Sequence, residues 1–330
     1  MQDTLLPFEK IKKEILIKAQ AQTSSQFGIN PQDIKTQDLI SSGIVNINKP
    51  QGPTSHQISD YIKKILEISK AGHSGTLDPN VTGVLPVALK DSTKIVEVLL
   101  KAGKEYVCLM HLHKQVERQV LEDTMQSFVG KTKQLPPIRS AIKRQVRERE
   151  IYYIKILEVD QKEVLFIIGS QAGFYIRKFC HDLGKKLNTN AHMSQLIRTK
   201  AGPFRFEDSF SLQDLRDAYE YYKKGDDSYI RKIILPKEAA IKHLAKVWVF
   251  DTTVDSICHG ANLSIPGISK LEAHIKKDDV TAVLTLKGEL VCISKALEGS
   301  QDIMQKQKGL AFKTNKVFMQ PQTYQKYKKD

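Results

Sequence analysis

The sequence predicts an α+β fold followed by a small, barrel-like β module. Two observations point there. Over the first two thirds, strand-like and helix-like stretches mix without the regular strand–helix–strand rhythm of a doubly wound sheet. From Lys246 onward, short apolar β segments set off by turns such as Leu286-Lys-Gly-Glu289 replace helical periodicity. A length of 330 residues suits two domains with cores that need neither disulfide nor metal.

In chain order, residues 8–20 read as a short basic helix and the polar stretch 21–42 as an extended linker. Residues 43–48 form a short strand, with Val45 and Ile47 facing one way. Lys49-Pro-Gln-Gly-Pro-Thr-Ser55 is a rigid turn ending in a helix N-cap signal. Ile58, Tyr61, Ile62, Ile65 and Leu66 then mark one helical face. Residues 71–86 lack periodicity but hold three Gly and two Pro, which predicts a structured loop. Further strands are expected at 84–89, 104–112, 151–159 and 163–169, and helices at 93–100, 174–187 and 211–223. A second unit starts near Leu235-Pro236, with β segments at 246–250, 263–265, 280–286, 289–294 and 309–313. The basic tail from Thr323 is expected to fray.

There are 51 Lys and Arg against 37 Asp and Glu, a net charge of +14 that favours a polyanionic partner, nucleic acid above all. The basic run Lys143-Arg144-x-x-Arg147-x-Arg149, with Lys131, Lys133 and Arg139 upstream, is a candidate phosphate track. Cys108, Cys180, Cys258 and Cys292 are too scattered for a zinc site or disulfide framework, which suits a reducing compartment. His111-Leu-His113 has no Asp or Cys at ligand spacing nearby, so no metal is expected. The N-terminus lacks the apolar core of a signal peptide, and no apolar run approaches the roughly 20 residues that span a bilayer.

The most informative stretch is Gly72-His-Ser-Gly-Thr-Leu-Asp-Pro-Asn-Val-Thr-Gly-Val-Leu-Pro86. It offers one carboxylate, Asp78, in a loop stiffened by Pro79, and its glycines allow the backbone close to a ligand. An aspartate in an Asp-Pro turn is more often structural, capping its own backbone. The run nevertheless resembles, residue for residue, the catalytic loop of the TruB and dyskerin family of pseudouridine synthases. Further elements are similar in order: Lys49 to Ser55, Lys104-Glu-Tyr106, Pro136-Pro-Ile-Arg-Ser-Ala141, Ala172-Gly-Phe-Tyr-Ile-Arg177, and His192-Met-x-x-Leu196-x-Arg198-Thr199 with Gly202-Pro-Phe204. The resemblance spans about residues 43–325.

What the resemblance implies is specific. Asp78 is the catalytic aspartate and Arg177 its ionic partner. Tyr106 stacks on the target base and His73 helps hold the flipped RNA, while Lys49, Ile176 and Leu196 belong to the substrate site. The reaction rearranges uridine without changing its atoms, so no cofactor is implied, and an ionised carboxylate can serve as nucleophile or base. The expected fold is the pseudouridine synthase fold, a mixed and largely antiparallel sheet flanked by helices, at 43–234. A PUA RNA-binding barrel follows at 235–330, and residues 1–42 form an extension packing on it.

Several runs resemble the guide-dependent branch: Lys104 to His113, Arg139-Ser-Ala-Ile-Lys143, Ile151-Tyr-Tyr153, Arg177-Lys-x-Cys-His-Asp182, and His259-Gly-Ala-Asn-Leu-Ser-Ile-Pro-Gly-Ile-Ser-Lys270. That branch implies a catalytic subunit of a box H/ACA particle acting on rRNA and also tRNA. Its partners are a guide RNA, a substrate RNA and small accessory proteins, with no membrane. His259, Gly260, Pro266, Gly267 and Lys270 would hold the guide. The chain stops soon after the module, as archaeal members do, which implies a cytoplasmic protein; a eukaryotic one would be nucleolar. The alternatives are a guide-independent synthase acting on the tRNA T-loop and, from another class, an inactive RNA-binding scaffold.

Overall fold

A computed structural model describes residues 4–135 and 145–325. The chain forms two compact units: residues up to Lys10 with Val45–Ile233, and Ile11–Ile44 with the chain from Ile234 onward. The 8–20 helix does not form. A 3-10 turn at Pro7–Lys10 gives way to a strand at Ile15–Ile17, so the N-terminal extension is shared between the units. The expected linker is also ordered, with a 3-10 turn at Pro31–Asp33 and a helix at Thr36–Ser42.

The first unit is built on a mixed sheet. Its neighbours run Ile44–Lys49, Thr82–Leu89, Ala191–Ala201, Lys104–Leu112, Glu163–Ser170, Arg147–Asp160 and Gly130–Gln134. The last five strands pair antiparallel, whereas Thr82–Leu89 and Ala191–Ala201 pair in parallel at Thr82–Ile197 and Gly83–Arg198. Strand alternation puts Cys108, Met110 and Leu112 on one face with Phe166 and Ile168. Helix Ile176–Lys186 covers that face with Phe179, Cys180 and Leu183. Rings of Phe128, Phe166 and Phe174 surround Phe179, the first two edge-on.

The helix expected after Lys49–Ser55 runs over Ser55–Leu66 and buries Ile58, Ile62 and Leu66, leaving Tyr61 at its exposed edge. Its capping box is complete: Thr54 Oγ1 accepts from Gln57 N at 3.2 Å, and Thr54 N donates to Gln57 Oε1 at 2.8 Å. The 93–100 segment splits into a 3-10 turn, Lys90–Ile95, and a short helix, Val96–Lys101.

The second unit carries a seven-stranded sheet in the order Ile15–Ile17, Ile268–Glu272, Ala245–Val249, Val280–Leu284, Leu290–Ala296, Leu310–Val317 and Leu263–Ser264. Helices Asp251–Cys258 and Ser300–Gln305, absent from the sequence reading, close over its core of Val247, Val283, Val291 and Phe312. Among the described residues, no helix is long and apolar enough to cross a membrane.

Candidate active site

Asp78 sits in a loop whose backbone is held from several sides. Ser74 N donates to Pro86 O at 2.9 Å, and Val81 N closes a turn onto Asp78 O at 3.0 Å. The buried Ser55 hydroxyl accepts from Leu77 N at 2.9 Å and lies 3.2 Å from Leu77 O. Leu77 and Val81 turn inward as buried anchors. Between them the Asp78 carboxylate turns outward, its side chain 54% exposed, and pairs with the Arg177 guanidinium, itself 55% exposed. An ion pair this exposed has little to contribute to stability. Arg177 belongs to helix Ile176–Lys186, and the approach to that helix is fixed by the buried Gln134, whose amide bonds Tyr175 reciprocally at 3.0 and 3.2 Å.

Lys49, expected at the substrate, does something else. Its side chain is 0% exposed, and its ammonium donates to Pro50 O, Pro79 O and Val81 O at 2.8, 3.1 and 2.9 Å. All three donors are thus spent, two of them on the loop around Asp78. Burial lowers its pKa, the Asp78 carboxylate opposes that shift and Arg198 adds to it. Ile176 and Leu196 are likewise core residues, buried in the apolar cluster that holds Leu77 and Val81. Tyr106 packs against the same cluster while remaining half-buried.

His73 lies beside His56, ring centroids 4.8 Å apart, and its buried Nδ1 has no hydrogen-bond partner among the described residues. Burial, reinforced by His56 and Arg198, pushes its pKa from 6.5 down to about 4. An unfolded chain takes up this proton as pH falls through 6.5, the folded one only near 4. In that window the unfolded state binds more protons, so His73 costs stability as pH falls. His73→Gln should therefore lose less melting temperature than the wild type between pH 6.5 and about 4. Equal losses would mean that the folded imidazole protonates freely.

Sequence reasoning missed the role of Arg198. It is 1% exposed, and it donates to Val84 O at 2.7 Å and Gly75 O at 3.3 Å. Burial lowers its pKa, while the electrostatic influence of the neighbouring Tyr106 side chain opposes the shift. The run Leu196-x-Arg198-Thr199 was legible as an element of the site, but nothing local marked the arginine as buried.

The expected phosphate track is only partly described: Arg139, Lys143 and Arg144, and the run Pro136 to Ala141, lie outside the described residues. What is described is a hairpin pairing Lys131 with Glu150 and Lys133 with Glu148, so the cations alternate with acids. Among the described residues, no group of three or more His, Cys, Asp or Glu could hold a metal ion.

In the second unit, His259 and Gly260 follow helix Asp251–Cys258, with His259 exposed and next to Asp255. Pro266 is exposed in the turn Ile265–Gly267, whereas Gly267 is buried; a Cβ there would come within 2.8 Å of Thr253. Gly267 therefore lets the turn pack on the helix. Lys270 lies over the Trp248 ring, 5.1 Å from its centre.

Comparison with known proteins agrees along the whole chain. Residues 63–176 match the TruB family pseudouridylate synthase N-terminal domain, 177–242 the tRNA pseudouridylate synthase B C-terminal domain, 245–318 the PUA domain and 4–59 the DKCLD (NUC011) domain. A probable tRNA pseudouridine synthase B of Nanoarchaeum equitans is 47% identical over 326 residues, covering 98% of this chain and 93% of that protein. Its namesake in Pyrococcus horikoshii is 48% identical, covering 98% and 97%. Among solved structures, a chain of a Cbf5-Nop10-Gar1 complex superposes with a TM-score of 0.93 at 48% identity, covering 98% of this chain and 99% of that one. A chain of an H/ACA RNP bound to a substrate RNA containing 2'-deoxyuridine gives 0.91 at 46%, covering 98% and 99%. The protein thus belongs to the TruB family of pseudouridylate synthases and is an RNA uridine isomerase with a C-terminal PUA domain.

Proposed function

We propose that this isomerase is the catalytic subunit of a guide-directed box H/ACA particle, converting chosen uridines of rRNA and tRNA to pseudouridine. The observation that carries the chemistry is the open Asp78–Arg177 pair on a loop fixed by its own backbone contacts. The bond between ribose C1′ and N1 breaks, a bond from C1′ to C5 forms, the C5 hydrogen leaves and N1 gains a proton. Asp78 supplies the carboxylate oxygen that acts on the ribose, and Arg177 holds that carboxylate in place. Extruding the uridine costs about a few kcal/mol; stacking on Tyr106 returns roughly 1–3 kcal/mol. The PUA module, through His259, Gly260, Pro266 and Lys270, takes the guide RNA.

Support for guide dependence comes from the two H/ACA-type complexes whose chains superpose over nearly the full length. The relatives' name, tRNA pseudouridine synthase B, favours a second reading in which the chain modifies tRNA without a guide. Turnover on one target RNA with and without its matched guide separates them. The proposal expects at least about a hundredfold slower modification without the guide, because an unpositioned uridine loses the orientation that binding supplies. Equal rates would reject it.

A further inference from the structure

Arg198 heads the fully buried side chains by volume, and no carboxylate ion-pairs with it among the described residues. Burying a guanidinium without a counter-ion is costly, and an apolar side chain of similar size would be cheaper there. What the cation gains is a pair of divergent hydrogen bonds that reach both sides of the Asp78 loop. Nη2 donates to Gly75, three residues before Asp78. Nε donates to Val84, on the strand that leaves the loop. The Tyr106 side chain is the neighbour that favours its charged form. The backbone geometry agrees: Arg198 is the cross-strand partner of Tyr106 on one side and of Gly83 on the other. A register shift lies between Glu105 and Tyr106, where a bulge re-aims the side chain.

We propose that Arg198 is a positioning residue for the isomerisation: paired through its strand with Tyr106, its guanidinium ties the Gly75 and Val84 carbonyls into one frame that sets the stacking ring at a fixed distance from the Asp78 carboxylate. The inference rests on Asp78 and Tyr106 as the reacting acid and the stacking ring. A planar fork is needed for it, because an ammonium is a point charge and addresses two divergent carbonyls poorly. The residue never touches substrate, so its loss is felt in the rate of the chemical step rather than in RNA affinity.

The test uses the full chain in its assembled, target-bound form and measures single-turnover rate, target-RNA affinity and melting temperature. Four variants are compared with the wild type: Arg198→Lys, Tyr106→Phe, the double variant, and Asp78→Ala as a control. Arg198→Lys is expected to slow the chemical step by about a hundredfold with affinity held within about threefold, as for an ångström-scale misplacement of a reacting group. Tyr106→Phe keeps the ring and the fold but loses the hydroxyl beside the guanidinium, and should slow the step by about tenfold. Since both changes act on the same frame, adding Tyr106→Phe to Arg198→Lys should cost less than about threefold more. Multiplying effects, or an Arg198→Lys rate equal to the wild type, would overturn the proposal. If Arg198→Lys does not fold, a wild-type rate in Tyr106→Phe overturns it alone. An active Asp78→Ala would instead sink the site assignment beneath it, and is read separately.

Discussion

Asp78→Ala should abolish pseudouridine formation, by at least about 10⁴-fold, while target RNA binds nearly as well as to the wild type. The separation follows from how the loop is held. Its contacts come from the Lys49 ammonium, the Ser55 hydroxyl and the Arg198 guanidinium, and each reaches backbone atoms of the loop. The Asp78 side chain is exposed and, among the described residues, ion-pairs with Arg177, so truncating it leaves the loop's anchors in place. Removing the acid also releases a cation near the RNA, which works against any loss of affinity. Asp78→Asn should be as inactive, since an amide has nearly the carboxylate's shape but is neither nucleophile nor base. Release of tritium from the C5 position of the target uridine reads the chemistry directly, and filter binding reads the affinity. Turnover surviving in both variants would place the reacting oxygen elsewhere.

The parts of this site that were legible in the sequence share one property: their constraint is local. Gly75, Pro79 and Gly83 announce a structured loop, and Thr54 with Gln57 announces a helix start, because each acts on its neighbours. The parts that were missed depend on distant segments. Arg198 reads only as one member of a family-like run until Gly75 and Val84 close round it. Lys49 reads as a cation of the substrate site until Pro79 and Val81 take its ammonium. Strand Ala191–Ala201 went unread because Arg198 and Lys200, both buried, disguise it as polar. Lys200 is satisfied by Glu9 at 3.0 Å and by Glu105 at 3.5 Å, far away in sequence. The same holds for Ile15–Ile17, expected as helix, which becomes an edge strand because Ile268–Glu272 offers it a partner some 250 residues along. Where a segment's state is decided by its partner, local propensity has no purchase on it.

Gly83→Ala should be among the most damaging single-methyl substitutions in the first unit, costing about 3–5 kcal/mol of stability. Two penalties combine. The residue sits at φ +102°, where an L side chain is strained. A Cβ would also lie 2.2 Å from the Arg198 carbonyl oxygen and 2.8 Å from its amide nitrogen. That obstacle is backbone in the paired strand and cannot rotate away, so the two parallel strands must separate where Thr82 and Gly83 meet Ile197 and Arg198. Gly52→Ala is the matched control, with φ +110° and nothing within 4 Å of the added Cβ. It should cost only the conformational part, about 1–2 kcal/mol. The difference between the two, read from denaturant or thermal melts, isolates the close approach itself. Parting these strands would also pull Arg198 from Val84 and Gly75, so any folded Gly83→Ala protein should lose isomerase rate out of proportion to its loss of RNA binding. Similar melts for the two variants would show that the strand contact yields easily, and that the frame around Asp78 is softer than its hydrogen bonds imply.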